Sequence, residues 1–280
     1  MTGLVDTYRG GVIIQDCDAF GHLNIAYYVE RFADAAHELL QRLAPKANWR
    51  SVAIATRYVT ELRAGDPIRI SSGIIALDAA TLTIGHIARK ERDGAATTIA
   101  EQSLALDAPD GEAWSELRAK LAPTVIDWQE ARFAPLDLPN GPGPVLSSLS
   151  RVKSWESDGA GRLSLFGFVD RFSTANLVNM NEVGMTSAYI RDEKRGFATF
   201  ETRLDLSPPA PEVGAGVAIT SGMLELGKSS VKILHEMTLA QGRRVARFYQ
   251  AGVHFDLEGR RSAPLPESLR AKARQFLIRS

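Results

Sequence analysis

The sequence is short of three things, and each shortage excludes a class of protein. Cys17 is its single cysteine, so neither an internal disulfide framework nor a cysteine-built zinc site is available, and a reducing compartment, the cytoplasm by default, is expected. None of the 5 histidines shows the paired spacing of a metal site. Charge of one sign is missing too. Lys+Arg and Asp+Glu each number 33, which speaks against a non-specific nucleic-acid or membrane-surface binder. No uninterrupted apolar run approaches the ~18 residues of a membrane span, and the opening MTGLVDTYRG lacks the apolar core of a signal peptide. What remains is ordinary globular material: 280 residues, 45% hydrophobic and 24% charged. At roughly 150 residues per domain that predicts two domains or one large one.

An internal repeat decides between them. Residues 81–112 align without a gap on residues 230–261, pairing His86 with His235 and Asp107 with Asp256, each 149 apart. Ser72-Gly73 and Ser221-Gly222 keep that offset; Thr56-Arg57 and Thr202-Arg203 stand 146 apart, and Leu117-Arg118-Ala119-Lys120 and Leu269-Arg270-Ala271-Lys272 stand 152 apart. Drift confined to turn-rich segments is the mark of duplication. Between the copies PLDLPNGPGPVLSS (135–148) is rich in Pro and Gly and reads as a linker. The expected division is a first domain over 1–135, a linker over 136–150 and a second domain over 151–280.

In the first copy a short strand is expected from Tyr8 to Gln15. A helix from about Ile25 to Leu43 follows, because Tyr28, Phe32, Ala35, Ala36, Leu39 and Leu40 recur at helical spacing. Four strand-like runs come next, Val52 to Leu62, Ile68 to Leu77, Leu82 to Lys90 and Thr97 to Asp107, divided by AGDP, DAA and RDG turns. Short connections predict an antiparallel meander covered by the one long helix. The class is therefore α+β: a tandem double hotdog, each half an antiparallel sheet wrapped around one helix, the two forming a pseudo-dimer.

The chemistry concentrates in DCDAFGHLNIAYYVERF (16–32), where Asp16, Asp18, His22 and Asn24 crowd the start of the helix. One reading is structural: Asp18 or Asn24 caps the helix and Gly21 serves a turn. The other is catalytic. Thioester hydrolysis needs a base or nucleophile and a place for the carbonyl oxygen as it becomes negative. A carboxylate supplies the first, and a helix N-terminal amide backed by the helix dipole supplies the second.

The string resembles the strand–loop–helix signature of the 4-hydroxybenzoyl-coenzyme-A thioesterase family of hotdog enzymes, with its D-x-D-x-x-G loop. It is also similar to the acyl-ACP thioesterase pattern, D-x-D followed by H-x-N and an aromatic residue. Asp16, Asp18, Gly21, His22, Asn24 and Tyr28 fall on these patterns, and the duplicated layout looks like the tandem-hotdog acyl-ACP thioesterases over most of the chain. The first resemblance implies that Asp18 is the catalytic carboxylate and the Ile25 N–H, with Asn24 beside it, the oxyanion donor. The second implies a part for His22, but Phe20 occupies the asparagine position of that pattern. That departure favours acyl-CoA over acyl-ACP.

Aligning 16–24 with RFSTANLVN (171–179) places Asp18 on Ser173, Asp16 on Arg171, His22 on Leu177 and Gly21 on Asn176, retaining only Asn24 as Asn179. On that alignment the second half carries a degenerate motif and is a catalytically silent partner that completes the site, with Asn179, Asn181 and Glu182 capping the start of its helix. His86 and His235 lie in phase with apolar strand residues and read as hydrogen-bonded structural histidines. Cys17, between two aspartates, reads as a small hydrophobe with a raised thiol pKa. Tyr28 is given to packing, while Tyr27 is kept with Gly21 as a substrate-side residue. Charge divides unevenly: residues 1–140 hold 14 basic and 19 acidic groups, net −5, and 141–280 hold 19 and 14, net +5. Arg243 and Arg244, with Arg247, Arg260 and Arg261, are candidates to meet carrier phosphates; a solvated basic face explains them equally well.

The expected function is acyl thioester hydrolysis with no metal or redox cofactor, coenzyme A or phosphopantetheine entering as part of the substrate. Pairing of two tandem chains through exposed sheet faces, as in the family it resembles, would make a homodimer of pseudo-dimers. The alternatives are acyl-ACP hydrolysis, a hotdog dehydratase or hydratase, and a non-catalytic acyl-thioester binding module. The dehydratase pattern of His with a differently spaced acid is not seen, and a binder has no need of a base.

Overall fold

A computed structural model describes residues 3–106, 111–130, 133 and 136–278. The chain divides into two compact units, Met1–Ala134 and Pro135–Ser280. In the first, β1 (Val5–Gly11) leads through a 3-10 turn (Ile14–Asp16) to α1 (Ile25–Leu43), followed by β2 (Trp49–Tyr58), β3 (Pro67–Leu77), β4 (Thr81–Lys90), β5 (Ala96–Leu106) and α2 (Gly111–Leu121). The second unit repeats the order: β6 (Val145–Arg151), a 3-10 turn (Ser154–Glu156), α3 (Leu165–Val183), α4 (Ser187–Glu193), β7 (Arg195–Leu206), β8 (Gly216–Leu226), β9 (Ser230–Leu239), β10 (Arg244–Asp256), β11 (Arg261–Ser262) and α5 (Glu267–Arg274).

The expected α1 matches at both ends, but the meander is only partial. β3, β4 and β5 pair in succession, whereas β1 lies against β3 and β2 against β5, giving the order β1-β3-β4-β5-β2. The connection from β2 to β3 therefore crosses over β5 and β4 in the strand order, and it carries Glu61 and Arg63 past the start of α1. The second unit has the matching order β6-β8-β9-β10-β7. The first strand begins and ends earlier than expected, because residues 14–16 turn. Asp107 lies outside the described residues.

α1 is held to its sheet by one apolar stripe. Phe32, Ala35, Ala36, Leu39 and Leu40 are buried on it, the last three packing with Ile74, Leu82, Ile84, Leu104, Trp114 and Leu121. Each large side chain so buried stabilises the unit by about 1.5–3 kcal/mol relative to exposure. Beyond α2 the chain crosses the opposite face of the sheet: Ile126 N–H bonds the Ile74 carbonyl and Trp128 Nε1–H bonds Glu101. A Cβ on Gly85 would come within 2.6 Å of the Trp128 ring, so that crossing needs glycine there.

The structure corrects two expectations about the second half. The stretch expected as a linker packs on the second unit: the Pro139 carbonyl accepts from Arg247, and the residues from Val145 onward are strand. The helix there is Leu165–Val183, so Asn179, Asn181 and Glu182 stand in its last turns, and Ser164 is its N-cap. No helix among the described residues is long and apolar enough to cross a membrane.

The buried histidines are structural. Thr7 Oγ1 lies 3.2 Å from the Ile70 carbonyl and shares a hydrogen bond with the Ser72 hydroxyl (2.7 Å), which in turn is hydrogen-bonded to His86 Nδ1 (2.7 Å). Ser147, Ser221 and His235 repeat the chain at 3.1, 2.6 and 2.6 Å. Burial pulls each imidazole down to about 3. Both rings are neutral.

Candidate active site

The turn before α1 is built around one carboxylate. Asp18 Oδ1 accepts from Phe20 N–H (2.8 Å) and His22 N–H (3.0 Å), while Asp18 N–H bonds the His22 carbonyl and Gly21 N–H the Asp18 carbonyl. Gly21 has φ +76°, a left-handed conformation that L side chains adopt at a cost. Asp18 is exposed. Both amide bonds fall on Oδ1, leaving Oδ2 as the oxygen able to face a substrate.

Two further groups fix the turn to the helix. Asn24 is the N-cap of α1, its Oδ1 accepting from Ala26 N–H at 3.0 Å, so the amide side chain is committed to capping. Asp16 is buried and paired with Arg31 of α1 at 2.6 Å; Arg31 also bonds the Tyr27 and Gly11 carbonyls. The first aspartate of D-x-D is thus a structural anchor. Ile25 stands at the first helical position, where an amide has no carbonyl partner within the helix.

Tyr27 is half-buried, with the Arg31 guanidinium over its ring at 5.9 Å. Tyr28 is buried, stacks edge-on against Tyr58 at 5.3 Å, and accepts from Leu62 N–H; burial pushes its hydroxyl up to about 12. Burial, with Asp18 and Asp16 nearby, also raises the Cys17 thiol. That agrees in direction with the expectation, although burial rather than the carboxylates is the leading cause.

The β2–β3 connection supplies what the motif does not contain. Leu23 N–H bonds the Leu62 carbonyl and His22 forms a backbone bridge with Arg63. This places Glu61 Oε2 3.1 Å from His22 Nε2, and Arg63 Nη2 2.9 Å from the same atom. Neither residue was among the sequence candidates. Their one available signal is position: TELRAGD precedes the turn into β3.

The second unit carries the same turn, contrary to the expected degenerate motif. α3 repeats α1, and β6 repeats β1, at an offset of 140, so Asp18 corresponds to Asp158, Asp16 to Glu156, Gly21 to Gly161, His22 to Arg162, Asn24 to Ser164 and Arg31 to Arg171. Asp158 Oδ1 accepts from Ala160 N–H (2.9 Å) and Arg162 N–H (3.0 Å), and Glu156 pairs with Arg171 at 2.6 Å. The alignment of Asp18 on Ser173 fails because Ser173 lies inside the helix. What the second unit lacks is the histidine and its acid. Leu163 N–H bonds the Pro211 carbonyl, so Ala210 stands where Glu61 does, and the His22–Arg63 bridge becomes Arg162–Glu212.

Arg243 and Arg244 lie on the second unit with partners of their own. Arg243 bonds the Pro209 carbonyl, and Arg244 bonds Glu236 at 3.2 Å.

A family model of the thioesterase-like superfamily matches residues 12–113 and 152–273, one segment in each unit. The chain belongs to that superfamily. Its enzyme class is thioester hydrolase, and its fold is two hotdog units in tandem. Similar solved structures include a protein of Lactobacillus plantarum described as an oleoyl thioesterase (10% identity, TM-score 0.69, 90% of this chain and 97% of that one). An acyl-ACP thioesterase from Bacteroides thetaiotaomicron is alike at 8% identity, TM-score 0.65 and coverages of 90% and 97%. The 12:0-ACP thioesterase from Umbellularia californica gives 11% identity, TM-score 0.63, and coverages of 90% and 94%. A search of curated proteins finds no match.

Proposed function

We propose that the chain hydrolyses acyl thioesters at the first unit, with acyl-CoA preferred to acyl-ACP. The observation that carries this is the 3.1 Å contact of His22 with Glu61 beside the Asp18 turn, a pairing the second unit replaces with Arg162 and Ala210. Asp18 Oδ2 is the base toward water, or the nucleophile. As nucleophile it attacks the carbonyl carbon, the C–S bond breaks to release thiolate, and water then cleaves the mixed anhydride. The Ile25 amide, at the positive end of α1, receives the oxyanion, Asn24 fixes the position of that amide, and His22 is oriented by Glu61. A thiolate leaves without a strong acid. Support for CoA comes from Phe20, where the acyl-ACP pattern has asparagine.

A second reading is favoured by one observation: the hydrogen bonds of Asp18 are duplicated at Asp158, in a unit without the histidine. Asp18 is then the pin of the turn, and His22, with Glu61 behind it, is the general base. Release of free thiol from a panel of acyl-CoA, acyl-ACP and hydroxyacyl thioesters tests the function. Hydrolysis of simple acyl-CoA substrates is expected. Binding without thiol release, or dehydration of a hydroxyacyl substrate, would overturn it.

A further inference from the structure

Two groups of opposite kind compete for one ring nitrogen in the first unit. Arg63 Nη2 is 2.9 Å and Glu61 Oε2 3.1 Å from His22 Nε2, and the two side chains are themselves 3.6 Å apart. Arginine has only donors, so while Arg63 bonds Nε2 that atom offers its lone pair and the neutral ring carries its proton on Nδ1. A carboxylate has only acceptors, so Glu61 bonds Nε2 only when that nitrogen is protonated. For a neutral ring the two bonds are alternatives. The second unit has no such competition, because its equivalent bridge joins Arg162 to Glu212.

We propose that Arg63 is a latch on His22, released when an anionic phosphate of the thioester's carrier draws the guanidinium away and lets Nε2–H form toward Glu61. Exposure supports the order of events. The Arg63 side chain is 52% exposed against 20% for His22 and 32% for Glu61, so it is the member that an anion from solvent meets first. Its planar fork matches two phosphate oxygens. The change moves one ring proton from Nδ1 to Nε2 through solvent, with no net proton uptake and no bond to carbon. Coenzyme A and a phosphopantetheine-bearing carrier protein both supply such a phosphate.

The latch rests on the thioesterase reading, and one of its tests needs no turnover. Long-range ¹⁵N NMR of His22 is expected to show Nδ1–H in the wild-type protein, Nε2–H in Arg63→Gln, and conversion of the wild-type ring to Nε2–H on adding coenzyme A. A ring that ignores either change overturns the latch. In kinetics, Arg63→Gln should raise KM for acyl-CoA or acyl-ACP about tenfold and raise kcat/KM for the phosphate-free N-acetylcysteamine thioester of the same acyl group. Whichever carrier shows the larger KM change is the source of the phosphate. Equal losses on all three substrates contradict the latch. If the wild-type chain hydrolyses none of them, the thioesterase reading fails while the tautomer measurement still judges Arg63.

Discussion

Asp158 repeats the turn of Asp18 bond for bond. Each carboxylate accepts two backbone amides through Oδ1 at 2.8–3.0 Å, in front of a helix of 19 residues. The stability role and the chemical role of the motif are therefore separable, since one unit carries the turn without the His22–Glu61 pair. Alanine at either aspartate removes the one oxygen that accepts both amides and is expected to cost about 1–2 kcal/mol, whereas asparagine keeps Oδ1 and costs much less. Urea unfolding of the four single variants reads this. A large difference between Asp18→Ala and Asp158→Ala in stability would contradict it.

Glu61→Gln keeps the size of the side chain and removes the charge facing His22. The expected result is a fall in kcat of about tenfold or more with little change in KM, because the acid orients a group that acts in the transition state. Steady-state kinetics on one acyl-CoA decides this, and a rise in KM at constant kcat would assign Glu61 to ground-state binding.

The Asp16–Arg31 pair is nearly out of solvent, with side chains 12% and 6% exposed. Removing one partner leaves the other charge buried and unpaired, so Asp16→Ala should destabilise by about 3–5 kcal/mol. The expected sign is loss of folding stability ahead of any specific loss of chemistry. A variant that melts like the wild-type protein would show that solvent reaches the pair.

Acid sensitivity follows from His86 and His235. In the folded chain each is held at about 3, well below the ordinary value of 6.5, by burial. Between those values the unfolded chain binds protons that the folded chain refuses. Stability from this source is complete above about pH 6.5 and falls as pH drops toward 3, by on the order of 1 kcal/mol per pH unit for each histidine. Comparing urea midpoints at pH 7 and pH 5 for wild-type and His235→Gln checks this. The variant should lose less on acidification, and an unchanged difference would contradict the buried neutral ring.

The first unit is legible in the sequence because its signals agree with one another. Asn24 is a strong cap, the apolar residues from Tyr28 to Leu40 keep helical phase, and turn residues divide the strands. The second helix is hidden by its own composition. Asn176, Asn179 and Asn181 interrupt the apolar period, and Asn179 is fully buried with neither polar atom partnered among the described residues. In addition, five residues (44–48) join α1 to β2 whereas eleven (184–194), including α4, join α3 to β7, so the repeat offset drops from 146 to 140. Aligning Asp18 on Ser173 moves the offset the wrong way, to 155. Glu61 and Arg63 were missed for a different reason: they lie about forty residues from His22, and only the crossing of the β2–β3 connection brings them to it.

On the proposed function, thioester hydrolysis belongs to the Asp18 turn of the first unit and not to its copy. The direct measurement is thiol release from an acyl-CoA substrate by Asp18→Asn and Asp158→Asn, two variants that both keep the turn. A loss of about 10²–10⁴-fold is expected for Asp18→Asn, the range for a missing general base, with Asp158→Asn close to wild type. Equal rates for the two variants would contradict Asp18 as the base.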